Sequence, residues 1–176
     1  ATTAAGAMRV PRLRASARQL SRRAARVAGL PFAITGGLGG LGLRAAALLV
    51  ESGTSHIVVA SRSGRVARDG QGLAAQLKAL GRRAQVVACD GAEPIDTAYA
   101  LSGQALSGVL HAAGSGDKGL LVELSAGRMQ WMYAPKAAGA WHIHIAMAGV
   151  PLEARLLYSS VGSGLSNVGQ GNYATG

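Results

Sequence analysis

The sequence predicts an α/β fold built on a parallel sheet. From residue 32 onward short apolar runs alternate with helical patterns, and a glycine cluster separates the first run from the first helix. Parallel strands buried on both faces read as unbroken apolar stretches, and each connection between them needs a crossover, usually a helix.

The elements follow in order. Residues 32–34 (FAI) form a brief buried strand that runs into the glycines. Residues 41–52 (LGLRAAALLVES) predict a helix closed by Gly53, and residues 56–60 (HIVVA) a β-branched second strand. A helix over residues 72–80 ends at Gly81, and residues 84–88 (AQVVA) give a third strand. Residues 101–106 predict part of another helix ahead of a fourth strand, residues 108–111 (GVLH). Residues 121–147 read as a long helical stretch weakened at Gly139, and residues 155–159 (RLLYS) as a fifth strand. This pace implies right-handed crossovers and a sheet covered on both faces.

Composition narrows the classes. The 176 residues are 49 % hydrophobic and 15 % charged, which suits one globular domain or a piece of a larger one and not a disordered chain. Aromatics at 4 % leave few stacking surfaces for single-stranded nucleic acid. The single cysteine, Cys89, excludes an internal disulfide framework and a multi-cysteine zinc site. His142 and His144, two apart on a presumed helix, point to different faces, so no metal site is expected. Trp131 and Trp141 are expected to pack, Cys89 to be a small buried residue at a strand end, and Asp117 to be a solvated loop acid. No apolar run reaches the roughly 18 residues of a membrane span, so a soluble chain is expected; its expected location is cytoplasmic, with organellar targeting left open.

The net charge of +10 is unevenly placed. Of the 18 basic residues, seven arginines lie in residues 1–31 without any acid, leaving eleven against all eight acids elsewhere. Leu13, Ala17, Leu20, Ala24 and Val27 form an apolar stripe on a helix expected from Pro11 to about residue 28. A solvated linker or packing segment, an organellar targeting peptide and a nucleic-acid or anionic-surface contact all fit this arm, and the first residues, Ala1-Thr2-Thr3, leave targeting open.

The run Thr35-Gly36-Gly37-Leu38-Gly39-Gly40-Leu41-Gly42 lies between the first strand and the first helix. Glycines in that place permit a tight turn, let the backbone approach a pyrophosphate, and allow close helix–strand packing, while the helix N-terminus offers free N–H groups to the anion. The motif alone would be weak; its strand–loop–helix setting points to a dinucleotide cofactor and a Rossmann-type, doubly wound sheet. After the second strand comes Ser61-Arg62-Ser63-Gly64, with no acid. An acid there would bond a ribose 2′-hydroxyl, whereas an arginine accommodates a 2′-phosphate, so NADPH is favoured over NADH unless Arg62 is only a solvated loop residue.

The ordered set TGGLGGLG, ASRSG, GVLHAAG, PKAAGAWHIH and YSSVGSGLSNVGQGNYATG resembles the β-ketoacyl reductase (ketoreductase) domain of modular polyketide synthases, a branch of the short-chain dehydrogenase/reductase superfamily. The resemblance covers about residues 31–176, and RVPRL at residues 9–13 is similar to the exit of the structural subdomain that precedes the catalytic one. It implies that Tyr173 is the catalytic tyrosine, that Ser160, thirteen residues earlier, is its serine partner, and that Lys136 is the lysine these ketoreductases take from an earlier helix. It also implies that Asp90 meets the adenine and that the turn His111-Ala112-Ala113-Gly114 lines the cofactor. Ser160, Tyr173 and Lys136 each have a plainer reading: a turn serine, a core or surface tyrosine, a solvated helix lysine.

The chemistry suits those residue types. Reducing a ketone leaves charge on oxygen, which needs a proton donor and hydrogen-bond stabilisation. A phenol, with an ordinary pKa of about 10, serves poorly at neutral pH unless a cation favours its phenolate. The expected reaction is reduction of the β-keto group of an acyl chain held on an acyl carrier protein, with other synthase domains in the same chain and neither nucleic acid nor membrane as partner. A fatty-acid synthase ketoreductase, a catalytically silent NADPH-binding scaffold and a protein that binds nucleic acid through its basic arm are the alternatives.

The pattern also departs from the family. Where one stereochemical group carries Leu-Asp-Asp, this chain has Gly116-Asp117-Lys118, and where the opposite group carries tryptophan it has Leu165. The family's relay asparagine lies four residues after the tyrosine, and the sequence ends at Gly176, so a C-terminally truncated domain is expected. The interval from Asp90 to His111 is short, which predicts an abbreviated third crossover helix.

Overall fold

The computed structural model describes residues 27–66, 71–116, 118–162 and 168–175. The proposed helix of the basic arm, and with it Asp117 and Leu165, falls outside them, apart from residues 27 and 28, which lie in a bend and turn and not in a helix. Five parallel strands stand in the order β3-β2-β1-β4-β5: β1 Phe32–Thr35, β2 Ile57–Ser61, β3 Ala84–Ala88, β4 Gly108–His111 and β5 Ala154–Leu157. The doubly wound arrangement expected from the alternation is present.

Side chains alternate across the sheet and divide the core in two. Phe32, Ile34, Ile57, Val59 and Leu110 face one layer, where Leu43, Ala45 and Ala46 of helix α1 (Gly40–Glu51) and Leu73 and Leu80 of α2 (Leu73–Leu80) cover them. Ala33, Val58 and Val109 face the other, against Leu101 of α3 (Pro94–Leu101) and Ile143 of α5 (Gly139–Ala146). The three central strands are apolar along almost their whole length because both faces are dry; each fully buried Ile or Val contributes roughly 1.5–3 kcal/mol.

The edges differ from expectation. Much of β3 and most of β5 are exposed, with Leu157 at 56 %, so the outer strands are not covered on both faces as predicted. Trp131 and Trp141 are 48 % and 61 % exposed and do not pack as expected. The third helix is two turns long and occupies Pro94–Leu101 instead of residues 101–106; Pro94 in its first turn and Asp96 near its positive end are the start signals that override the apolar count.

The long stretch over residues 121–147 resolves into a 3₁₀ turn (Leu121–Glu123), α4 (Ala126–Tyr133), a π-helical turn (Ala134–Ala138) and α5. Ser125 starts α4 by accepting the Arg128 N–H at 3.2 Å. Gly139 does not break the helix; its N–H reaches the carbonyls of both Ala134 and Lys136. A last short helix, α6 (Gly171–Thr175), lies against α4. Among the described residues no helix is long and apolar enough to cross a membrane.

Candidate active site

A cleft of about 330 Å³ opens at the carboxyl ends of the strands. From β1 the chain proceeds to β2 and β3 on one side and resumes at β4 on the other, and ligands of such sheets settle at this reversal. Thr35, Gly36, Leu38 and Gly39 line it from the glycine loop, with Ser61, Arg62 and Ser63 from the end of β2. Asp90 closes it after β3, and Ala112 and Ala113 after β4.

The glycines divide their work. Gly36 has φ +69°, and a Cβ there would stand 2.5 Å from the Ala112 carbonyl carbon and the Ala113 nitrogen, so the first turn crosses the β4 turn backbone to backbone. Gly37 and Gly42 do not line the cleft; a Cβ on either would strike Val59 or the Gly36 carbonyl, so they serve packing. Gly40 begins α1, and Leu41 faces a second cleft. No acid lies in the first turn of α1, which leaves its positive end to an anion.

These residues fit a dinucleotide. The Ser61 hydroxyl is buried at the rim with no hydrogen-bond partner, a costly state that a ligand oxygen would relieve. Arg62, Ser63 and Arg65 are exposed beside it, and Ser63 Oγ accepts the Arg65 N–H at 3.3 Å, which shapes the turn. Asp90 Oδ1 accepts the Ala92 N–H at 3.0 Å, so its carboxylate is oriented by its own turn. Cys89 is buried as expected, and burial pushes its thiol above the usual range.

The second cleft, about 550 Å³, shares the wall Ala112, Ala113, Gly114 and Ser115 with the first. It gathers Lys136 from the π turn, Ser160 after β5 and Tyr173 from α6. The Lys136 Nζ lies 3.6 Å from the centroid of the Tyr173 ring and donates to the Tyr173 main-chain carbonyl at 3.0 Å. Partial burial lowers the lysine's pKa from its ordinary value. Ser160 Oγ accepts the Gly162 N–H at 3.1 Å, and a Cβ on Gly162 would lie 3.3 Å from that Oγ and 3.8 Å from Tyr173 Cε1, so serine and tyrosine flank one glycine.

A model of the KR domain matches residues 32–176. The chain belongs to the ketoreductase domain family. It is 42 % identical over 146 residues to polyketide synthase GfsA of Streptomyces halstedii, covering 80 % of this chain and 2 % of that protein. It is 38 % identical over 147 residues to the spectinabilin polyketide synthase system protein NorB of Streptomyces orinoci, with 80 % and 7 % covered. The A-type ketoreductases of a modular polyketide synthase share its structure at a TM-score of 0.75 and 32 % identity, over 90 % of this chain and 35 % of theirs. The chain thus spans a small part of these synthases and about a third of that solved ketoreductase chain.

Within the ketoreductase frame two features escape sequence reasoning. His111, expected in the cofactor turn, lines the second cleft and not the first, and its ring turns inward to Thr35 and to the Lys136 carbonyl. His142, set aside as a helix residue, lies with its Nδ1 3.0 Å from the Gly91 carbonyl oxygen and so ties α5 to the turn that carries Asp90. The i, i+3 spacing of Gly139 and His142 was its one signal, since both face Gly91.

Proposed function

We propose that this chain carries the NADPH-dependent reductase chemistry of a cytoplasmic polyketide synthase, converting the β-keto group of an acyl chain on an acyl carrier protein to a hydroxyl. The observation that supports it is the shared wall: a dinucleotide in the first cleft and a carbonyl beside Tyr173 in the second would meet at Ala112–Ser115. Bound there, NADPH supplies the hydride. The Tyr173 hydroxyl gives its proton to the carbonyl oxygen, the Lys136 ammonium beneath the ring favours the phenolate left behind, and the Ser160 hydroxyl holds the reacting oxygen. Arg62 and Ser61 take the 2′-phosphate, and the glycine loop with the α1 N-terminus takes the pyrophosphate.

The test is NADPH consumption with a β-ketoacyl thioester, on this chain and on the synthase module that contains it. Turnover in the module, abolished by Tyr173→Phe with NADPH still bound, is the expected result. Bound NADPH without turnover in the module would instead mark a silent remnant.

A further inference from the structure

We propose that His111 is a positioning residue for Lys136, holding the lysine's turn through its main-chain carbonyl while Thr35 fixes the ring. The proposal rests on reading Lys136 as the cation beneath Tyr173. Thr35 and His111 are Cα partners across the β1–β4 pair. The Thr35 hydroxyl lies 2.6 Å from His111 Nδ1, and His111 Nε2 lies 3.0 Å from the Lys136 carbonyl oxygen.

The partners dictate the tautomer. A carbonyl oxygen only accepts, so Nε2 carries the proton and Nδ1 accepts from the Thr35 hydroxyl. The imidazole is 5 % exposed, and burial lowers its pKa, which keeps it neutral with this one arrangement. It is therefore a rigid strut between the glycine-loop strand and the lysine.

The other end of the strut is an irregular turn. In the π segment the Gly139 N–H is shared between the Ala134 and Lys136 carbonyls, and the Lys136 carbonyl also takes the imidazole. A π turn is less stable than regular helix and persists where something holds it. Gly139 allows the imidazole to lie flush, because a Cβ there would stand 3.1 Å from His111 Cε1 and 3.2 Å from the Gly91 carbonyl oxygen. Gly114 passes the lysine stem at van der Waals distance, with its Cβ position 3.5 Å from Lys136 Cε. The backbone of Lys136 is thus anchored by His111 and its tip by Tyr173.

Lys78, Lys118 and Lys136 are the three lysines of the sequence, so each can be followed in the chain labelled with [¹³Cε]-lysine. In the unaltered chain the Lys136 ε-protons, stacked on an aromatic ring, resonate upfield of the other two. His111→Gln keeps a donor for the carbonyl and should keep that shift. His111→Asn keeps an acceptor for Thr35, is too short for the carbonyl, and should bring Lys136 to the Lys78 and Lys118 position. An unmoved resonance in His111→Asn, or the same behaviour in both variants, overturns the proposal. Should His111→Asn fail to fold, the ¹⁵N spectrum of the unaltered chain decides: a neutral ring protonated at Nε2 supports the strut, and one protonated at Nδ1 overturns it. Neither readout involves turnover, so the positioning role and the reductase reading fail separately.

Discussion

The Lys136 ammonium holds Tyr173 twice, over its ring at 3.6 Å and at its main-chain carbonyl at 3.0 Å. The five-residue α6 is too short to persist alone and depends on such contacts. Lys136→Met should therefore speed amide exchange over residues 171–175, as followed by mass spectrometry. In the module it should lower ketone reduction by about 100-fold or more, the scale of a lost acid–base partner.

Cofactor choice is exposed at Arg62. On the proposed NADPH reading, Arg62→Asp would remove a charge-assisted contact to the 2′-phosphate, worth roughly 1.5–3 kcal/mol, and should weaken NADPH about 10- to 100-fold. NADH affinity should hold or rise. Fluorescence titration with both nucleotides reads the ratio, and an unchanged ratio removes Arg62 from the phosphate site.

Gly36→Ala meets two obstacles at once, a φ of +69° and a β4 turn whose backbone leaves 2.5 Å for the new methyl. The chain should lose more than about 1 kcal/mol in urea unfolding, with dinucleotide affinity falling alongside.

Acid should loosen the fold through His111. Burial holds its folded pKa below the ordinary 6.5, so under that pH the unfolded chain takes up a proton that the folded chain refuses. The contribution is complete above about 6.5 and is lost as pH falls through the folded value. The urea midpoint should drop between pH 7.5 and 5.5, and by less in His111→Gln, which keeps the other three histidines.

The central sheet was legible because strands such as IVVAS carry their burial in every residue. The edges were not: Trp131 and Trp141 have core-like chemistry, and nothing in a linear pattern tells which helix face meets a neighbour. Lys136, Ser160 and Tyr173 were singled out by resemblance, and the fold brings them to one cleft from three elements. The Thr35–His111–Lys136 chain was beyond reach, because it depends on the β1–β4 register and on a π turn that no local propensity signals. Helix α3 was misplaced because its buried face is Thr97, Ala100 and Leu101 while the large apolar Ile95 and Tyr99 face water, so no one-sided apolar stripe marks residues 94–101.

Register has a consequence for how errors in strand pairing would be rejected. β4 has four residues and sits between β1 and β5 with a single alignment to each. A slip of one position would turn every β4 side chain to the opposite face. Leu110 or Ala112 would then face Thr35, and the Thr35 hydroxyl and the Lys136 carbonyl would lose the imidazole together. Mispairing would thus be penalised in polar contacts as well as in apolar ones, at the very strand end where the two clefts join.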